Sequence, residues 1–272
     1  MMTTATGPVE GYQKVAPTVV RDGDVATIDS HGVYYRQLNE AVRSAIDEGA
    51  KTVRLLNVNG QRYIGNGLSA KDVRIEIDGV PGGDMAMFMN GPTIVTSGNA
   101  QDGVANTMNA GAVYINGDAG DVLGYGMRGG KVFVKGDVGY RVGIHMKAFE
   151  NLVPVICCGG NARAFFGEYL AGGVLVLLGH NGQFADQPLV GPFCGSGMHG
   201  GVIFLRGHVE PWEVGKECGI FDVDDEDMKL LRPIVEEWCT AFGEDVEEVL
   251  SKPFTKLAPV SHRPYGKLYA PM

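Results

Sequence analysis

Along the middle of the chain, short aliphatic triplets recur at a fixed spacing, each followed by Gly and usually by Asp or Asn. Met108-Asn109-Ala110-Gly111 leads into Val113-Tyr114-Ile115-Asn116-Gly117-Asp118. Nineteen residues on, Met127-Arg128-Gly129-Gly130 leads into Val132-Phe133-Val134-Lys135-Gly136-Asp137. Upstream, Met89-Asn90-Gly91 precedes Thr93-Ile94-Val95 and Gly98-Asn99. Downstream, Leu170-Ala171-Gly172-Gly173 and Met198-His199-Gly200-Gly201 open two further copies after insertions. A short fixed period marks a stacked solenoid whose units bury their apolar face only against one another. The pattern predicts a mainly β chain: a right-handed parallel β-helix over residues 63–209, with about seven rungs and a ~19-residue period.

The flanks follow other periods. Residues 1–24 show none and read as an N-terminal arm. Residues 25–62 read as a small α/β cap: a strand at Val25–Ile28, a helix from Tyr35 to Glu48 preceded by Ser30 or His31 and stopped by Gly49, then a strand from Lys51 to Val58. Such a cap covers the open end of a stack. Residues 210–251 read as a helical extension, with a short turn over Pro211–Gly219 and a helix capped by Asp224 or Asp225. Its apolar positions are Met228, Leu231, Val235, Trp238, Cys239 and Phe242, and Pro233 is expected to kink or split it. A last acidic helix is expected from Glu244 to Ser251. Residues 252–272 hold prolines among basic and aromatic residues and read as an extended docking tail, disordered alone or laid along another surface.

Glycine is in marked excess, 41 of 272 residues, and it recurs with the repeat rather than every third position, which excludes collagen. A formal charge of -9 argues against a nucleic-acid partner. No stretch approaches the run of apolar residues that a membrane span needs, so a cytoplasmic protein is expected. Five cysteines at irregular spacing fit free buried thiols, not a disulfide framework or paired metal ligands.

No catalytic set emerges. Ser196, between Gly195 and Gly197, lacks the spacing of a nucleophile elbow, and no helix follows Gly124-Tyr125-Gly126 to hold a pyrophosphate. His145 and His199 fall at rung corners and read as surface or hydrogen-bonded residues. Asn99, Asp118, Asp137 and Asn161 share one rung position, where turn hydrogen bonding is expected over a calcium ladder. Arg128, Arg141 and Arg163 could line a basic strip. The recurring methionines read as core gap-fillers.

The rung phrase G-x-x-M-x-G-G-x-V-x-V-x-G, with its Gly-Asp, resembles the GXGXG β-helix domain at the C-terminal end of glutamate synthase large subunits. The same domain occurs in one of the subunits of formylmethanofuran dehydrogenase. The likeness spans about Val25 to Val209, and Asn59–Gly65, Gly98–Gly103 and Gly136–Met146 are most similar to the stand-alone, archaeal-type glutamate synthase subunit. The resemblance implies a non-catalytic subunit that binds no cofactor itself. It would pack against a glutamine amidotransferase and a synthase subunit carrying FMN and iron–sulfur clusters, which together convert glutamine and 2-oxoglutarate to glutamate. A scaffold in a formylmethanofuran dehydrogenase-like or other redox complex is the alternative. On either reading Arg62, Arg128, Arg141, His145, Arg263 and Tyr265 are expected at partner surfaces.

Overall fold

Each repeat contributes one strand to a single sheet in a computed structural model that describes residues 15–182 and 187–261. The elements are β1 (Thr18–Asp22), β2 (Val25–Asp29), α1 (Tyr35–Asp47), β3 (Thr52–Asn59), β4 (Arg74–Val80), β5 (Asn90–Thr96), β6 (Ala110–Ile115) and β7 (Lys131–Val134). They continue with β8 (Val155–Cys158), β9 (Ala171–Leu177), β10 (Gly200–Arg206), β11 (Cys218–Asp222), α2 (Asp225–Phe242), α3 (Val246–Leu250) and β12 (Phe254–Pro259). From β2 to β10 every neighbouring pair is parallel, so the chain winds as a solenoid of about six turns. A second line of parallel bridges, Ala100–Ala119–Val138–Ala162–Val190, ties the turns on another side.

Period-2 alternation places one row of each strand inside. Leu55, Ile77, Thr96, Ile115, Val134, Cys158, Leu177 and Leu205 stand in register across the sheet, all buried. Thr96 fits this apolar column because its hydroxyl donates to the Gly98 carbonyl at 2.7 Å. Met89, Met108, Met127, Met146 and Met198 are wholly buried in the same core.

The opposite row faces outward and meets α2. Phe133, Cys157, Val176 and Phe204 pack against Leu231, Val235, Trp238, Cys239 and Phe242, and Trp238 Nε1 donates to the Val134 carbonyl at 2.8 Å. Asp224 caps α2 through a capping box with Asp227. Pro233 does not split α2, which runs unbroken through it; the missing N–H costs one internal bond, and burial of the apolar face offsets it. Neither Ser30 nor His31 caps α1. Tyr34 holds that position and its side chain makes no capping bond, while the Ser30 carbonyl accepts from Val33 N and Gln61 Nε2.

The two ends reverse direction. β1 pairs antiparallel with β2, and β12 lies antiparallel between β10 and β11, so Phe254–Pro259 rests on the chain's own sheet. Residues 211–214 form a turn, and Cys218 already begins β11. No helix among the described residues is long and apolar enough to cross a membrane.

Candidate functional site

Two corner devices explain the repeat and decide what the surface presents. The first is the Gly-Asp pair. The Asn99 side chain accepts from Asp118 N at 2.9 Å, Asp118 from Asp137 N at 2.8 Å, and Asp137 from Asn161 N at 2.6 Å. Each side chain thus reaches into the next rung. The glycine before each acceptor's successor leaves that path open: a Cβ on Gly117 would stand 2.1 Å from Asn99 Oδ1, and one on Gly136 2.1 Å from Asp118 Oδ1. A parallel ladder runs from Asp102 through Asp121 N to Tyr140 N, both at 2.8 Å. These carboxylates therefore serve backbone hydrogen bonding, and among the described residues no group of three metal-binding side chains occurs.

The second device is an arc in which every second residue adopts a left-handed backbone. Arg141 (φ 58°), Gly143 (71°) and His145 (56°) form one arc, and Phe165 (66°), Gly167 (70°) and Tyr169 (52°) form the next. Seven such arcs stack from Tyr63–Gly65–Gly67 to Phe193–Gly195–Gly197, bounding the six turns. Alternation turns successive N–H groups to opposite neighbours: Ala86 N donates to Ile64 O behind it and Phe88 N to Asn106 O ahead, both at 2.8 Å. The middle column faces the core and admits only Gly or Ala. A Cβ on Gly124 would meet Ile156 Cδ1 at 2.3 Å. Ten of the fourteen positions in the outer two columns carry side chains, half-buried or exposed, despite a cost of about 1–2 kcal/mol per left-handed residue.

Those side chains are large. Arg141 lies over the Phe165 ring at 4.3 Å and pairs with the buried carboxylate of Glu168, and Phe165 stacks on Phe193 at 5.1 Å. In the other column the His145 ring stands 5.9 Å from Tyr125 and 5.2 Å from Tyr169. Phe88, Tyr140 and Phe193 are 47%, 51% and 52% exposed. Beside the arcs the fifth-rung insertion turns back on itself at Phe149–Leu152 and exposes Phe149, Leu152 and Val153. Exposed and half-buried rings on a backbone pinned from rung to rung are the composition of a protein-docking surface.

Four residues expected at partner surfaces lie on or beside this face. Arg62 stacks on Tyr63 at 5.0 Å and pairs with Asp84, Arg128 is exposed beside the insertion, and Arg141 and His145 stand in the outer columns. Arg263 and Tyr265 lie outside the described residues. Of the three arginines of the expected basic strip, Arg141 pairs with Glu168 and Arg163 donates to Gln187 at 2.7 Å. His199 bonds the Gly197 carbonyl through Nδ1. Phe165, Phe193 and Tyr169 escape a reading of the linear sequence, where they look like scattered aromatics. Writing the arcs in register at i, i+2 and i+4 aligns them.

The five thiols are not part of any site. Burial pushes Cys157, Cys158 and Cys194 well above the ordinary thiol range, and holds Cys218 at about 12 and Cys239 at about 11. They stay protonated and unreactive at neutral pH.

A family model described as "GXGXG motif" matches residues 37–260. The match begins inside α1 and ends just past β12, so α2, α3 and the closing strand fall within it. A relative from Methanocaldococcus jannaschii, named "Uncharacterized protein MJ1350", is 48% identical over 250 residues, covering 90% of this chain and 96% of that protein.

Proposed function

Because the chain belongs to the GXGXG motif family, we propose that it is the structural subunit of a glutamate synthase assembly, the class of enzyme in which the GXGXG domain is found. In this reading it presents the arc face to a glutamine amidotransferase subunit and to a synthase subunit that carries FMN and iron–sulfur clusters. The observation that supports it most is the pair of outer columns. Aromatic side chains are held in costly left-handed positions where glycine would fold more readily, and such strain is kept where a surface has work to do. Arg62, Arg128, Arg141 and His145 sit on or beside that face, and Arg263 and Tyr265, outside the described residues, are further contacts in this reading. In the proposed assembly this chain binds no cofactor itself and acts in the cytoplasm.

Isolation of the tagged full chain from its native host, with mass spectrometry of what accompanies it, tests the proposal. An amidotransferase and an FMN-containing protein are expected, and Phe193→Asp with Tyr140→Asp should reduce their recovery about tenfold while the melting temperature of the chain holds. Recovery of neither partner would sink the reading, as would recovery with a molybdenum- or tungsten-pterin protein instead.

A further inference from the structure

Helix α2 covers only part of the sheet's outer face. The outward row runs Arg54, Glu76, Val95, Tyr114, Phe133, Cys157, Val176 and Phe204, and α2 packs from Phe133 onward with Tyr114 at its margin. The uncovered part forms a trough along the helix flank. One end is a cleft of about 590 Å³ lined by Arg74, Thr93, Val95, Tyr114, Asn116 and Glu237, together with Thr240 and Ala241 of α2. It continues past Arg74, Val95 and Asn116 into a second hollow of about 350 Å³ that reaches Arg54 and Glu76.

The charges in this trough are arranged unevenly. Glu76 accepts from Arg74 Nε at 2.8 Å and from Arg54 Nε at 2.9 Å, so one carboxylate engages two guanidiniums from the side. The Nη ends of both arginines have no partner among the described residues. An ordinary surface pair would use the guanidinium fork on its own carboxylate; here both forks are left over. The other carboxylates are occupied: Asp78 accepts from the Ser97 hydroxyl at 3.2 Å, and Glu237 accepts from Lys131 Nζ at 2.5 Å and the Tyr114 hydroxyl at 3.0 Å. Three cations therefore balance three anions locally, in a chain of charge -9, and both arginines line the hollow. Val95 and the Tyr114 ring supply an apolar floor beside them, and Asn116, whose Nδ2 is committed to the Thr96 carbonyl at 2.9 Å, leaves its Oδ1 available.

We propose that this trough is a carboxylate-binding site, in which the Arg74 fork, seconded by Arg54, holds an acid group while Val95 and the Tyr114 ring pack its carbon chain. The group could belong to a free aliphatic acid or to a glutamate side chain of a partner polypeptide. The site stands apart from the arc face and does not depend on the function proposed above. Both arginines are about half exposed, so a single carboxylate is held weakly.

Titration of the full ¹⁵N-labelled chain by NMR decides it, with glutarate as one probe and a tetraglutamate peptide as the other. Saturable shifts confined to β3–β6 and the C-terminal half of α2 are expected with glutarate, weakened about tenfold by Arg74→Gln, with folding checked by the unchanged remainder of the spectrum. Shifts produced by the peptide alone, and lost in Arg74→Gln, would uphold the site and assign its ligand to a partner's acidic segment. No saturable shift with either probe, or shifts that Arg74→Gln leaves untouched, would overturn the proposal.

Discussion

At the scale of single residues, the Gly-Asp pair is a device that acts between rungs. Asp118 completes the backbone of the following rung, and Gly136 is small because the Asp118 carboxylate passes where its Cβ would be. Gly136→Ala alone should cost about 2–4 kcal/mol, from a displaced carboxylate and an unpaired amide. Asp118→Ala alone should cost about 1–3 kcal/mol. In the double variant the clash has lost its partner, so chemical denaturation should show a total at least about 1 kcal/mol below the sum of the two. Strictly additive costs would mean that Gly136 is required for another reason. A turn role for these Asp and Asn residues is readable from the sequence, because Gly-Asp is a turn pair in any context. Their reach of one full period is not, since it depends on rungs stacking at strand spacing.

Among elements, α2 is the one that converts a bare solenoid face into a second core. Its apolar residues sit three and four apart, and that period makes the helix legible in the sequence alone. Its continuity through Pro233 is not legible there, because local chemistry favours a break while packing on Phe133, Cys157, Val176 and Phe204 favours a single helix. Trp238 is the centre of that packing. Trp238→Phe keeps most of the apolar volume and removes one of two donors to the Val134 carbonyl, which retains Gly159 N at 2.9 Å, so a loss of about 0.5–1.5 kcal/mol is expected in thermal or chemical unfolding. Trp238→Ala should cost about 3–5 kcal/mol. A negligible effect of either would show that α2 is only loosely applied. The strands β1, β11 and β12 escape the sequence for a different reason. They lie at the ends of the sheet, mostly exposed or half-buried, and so carry little of the alternation that marks a strand with one face inside.

For the whole molecule, the repeat makes the fold legible and leaves the surface largely illegible. Nineteen-residue spacing, core methionines and strand triplets all follow from one rule, that like must stack on like along a solenoid. The outer columns of the arcs obey no such rule. Tyr63, Asp84, Val122, Arg141, Phe165 and Phe193 share one column and differ in size, charge and chemistry, which is the freedom a partner-facing surface retains once the backbone is satisfied. The central claim is that this face, on a stiff column, carries the protein's contacts. Hydrogen–deuterium exchange of the chain free and in its native complex tests it most directly. Added protection should concentrate on the arcs between Tyr63 and Gly197 and on the Phe149–Val153 turn. Protection confined to other faces, with the arcs exchanging alike in both states, would contradict it.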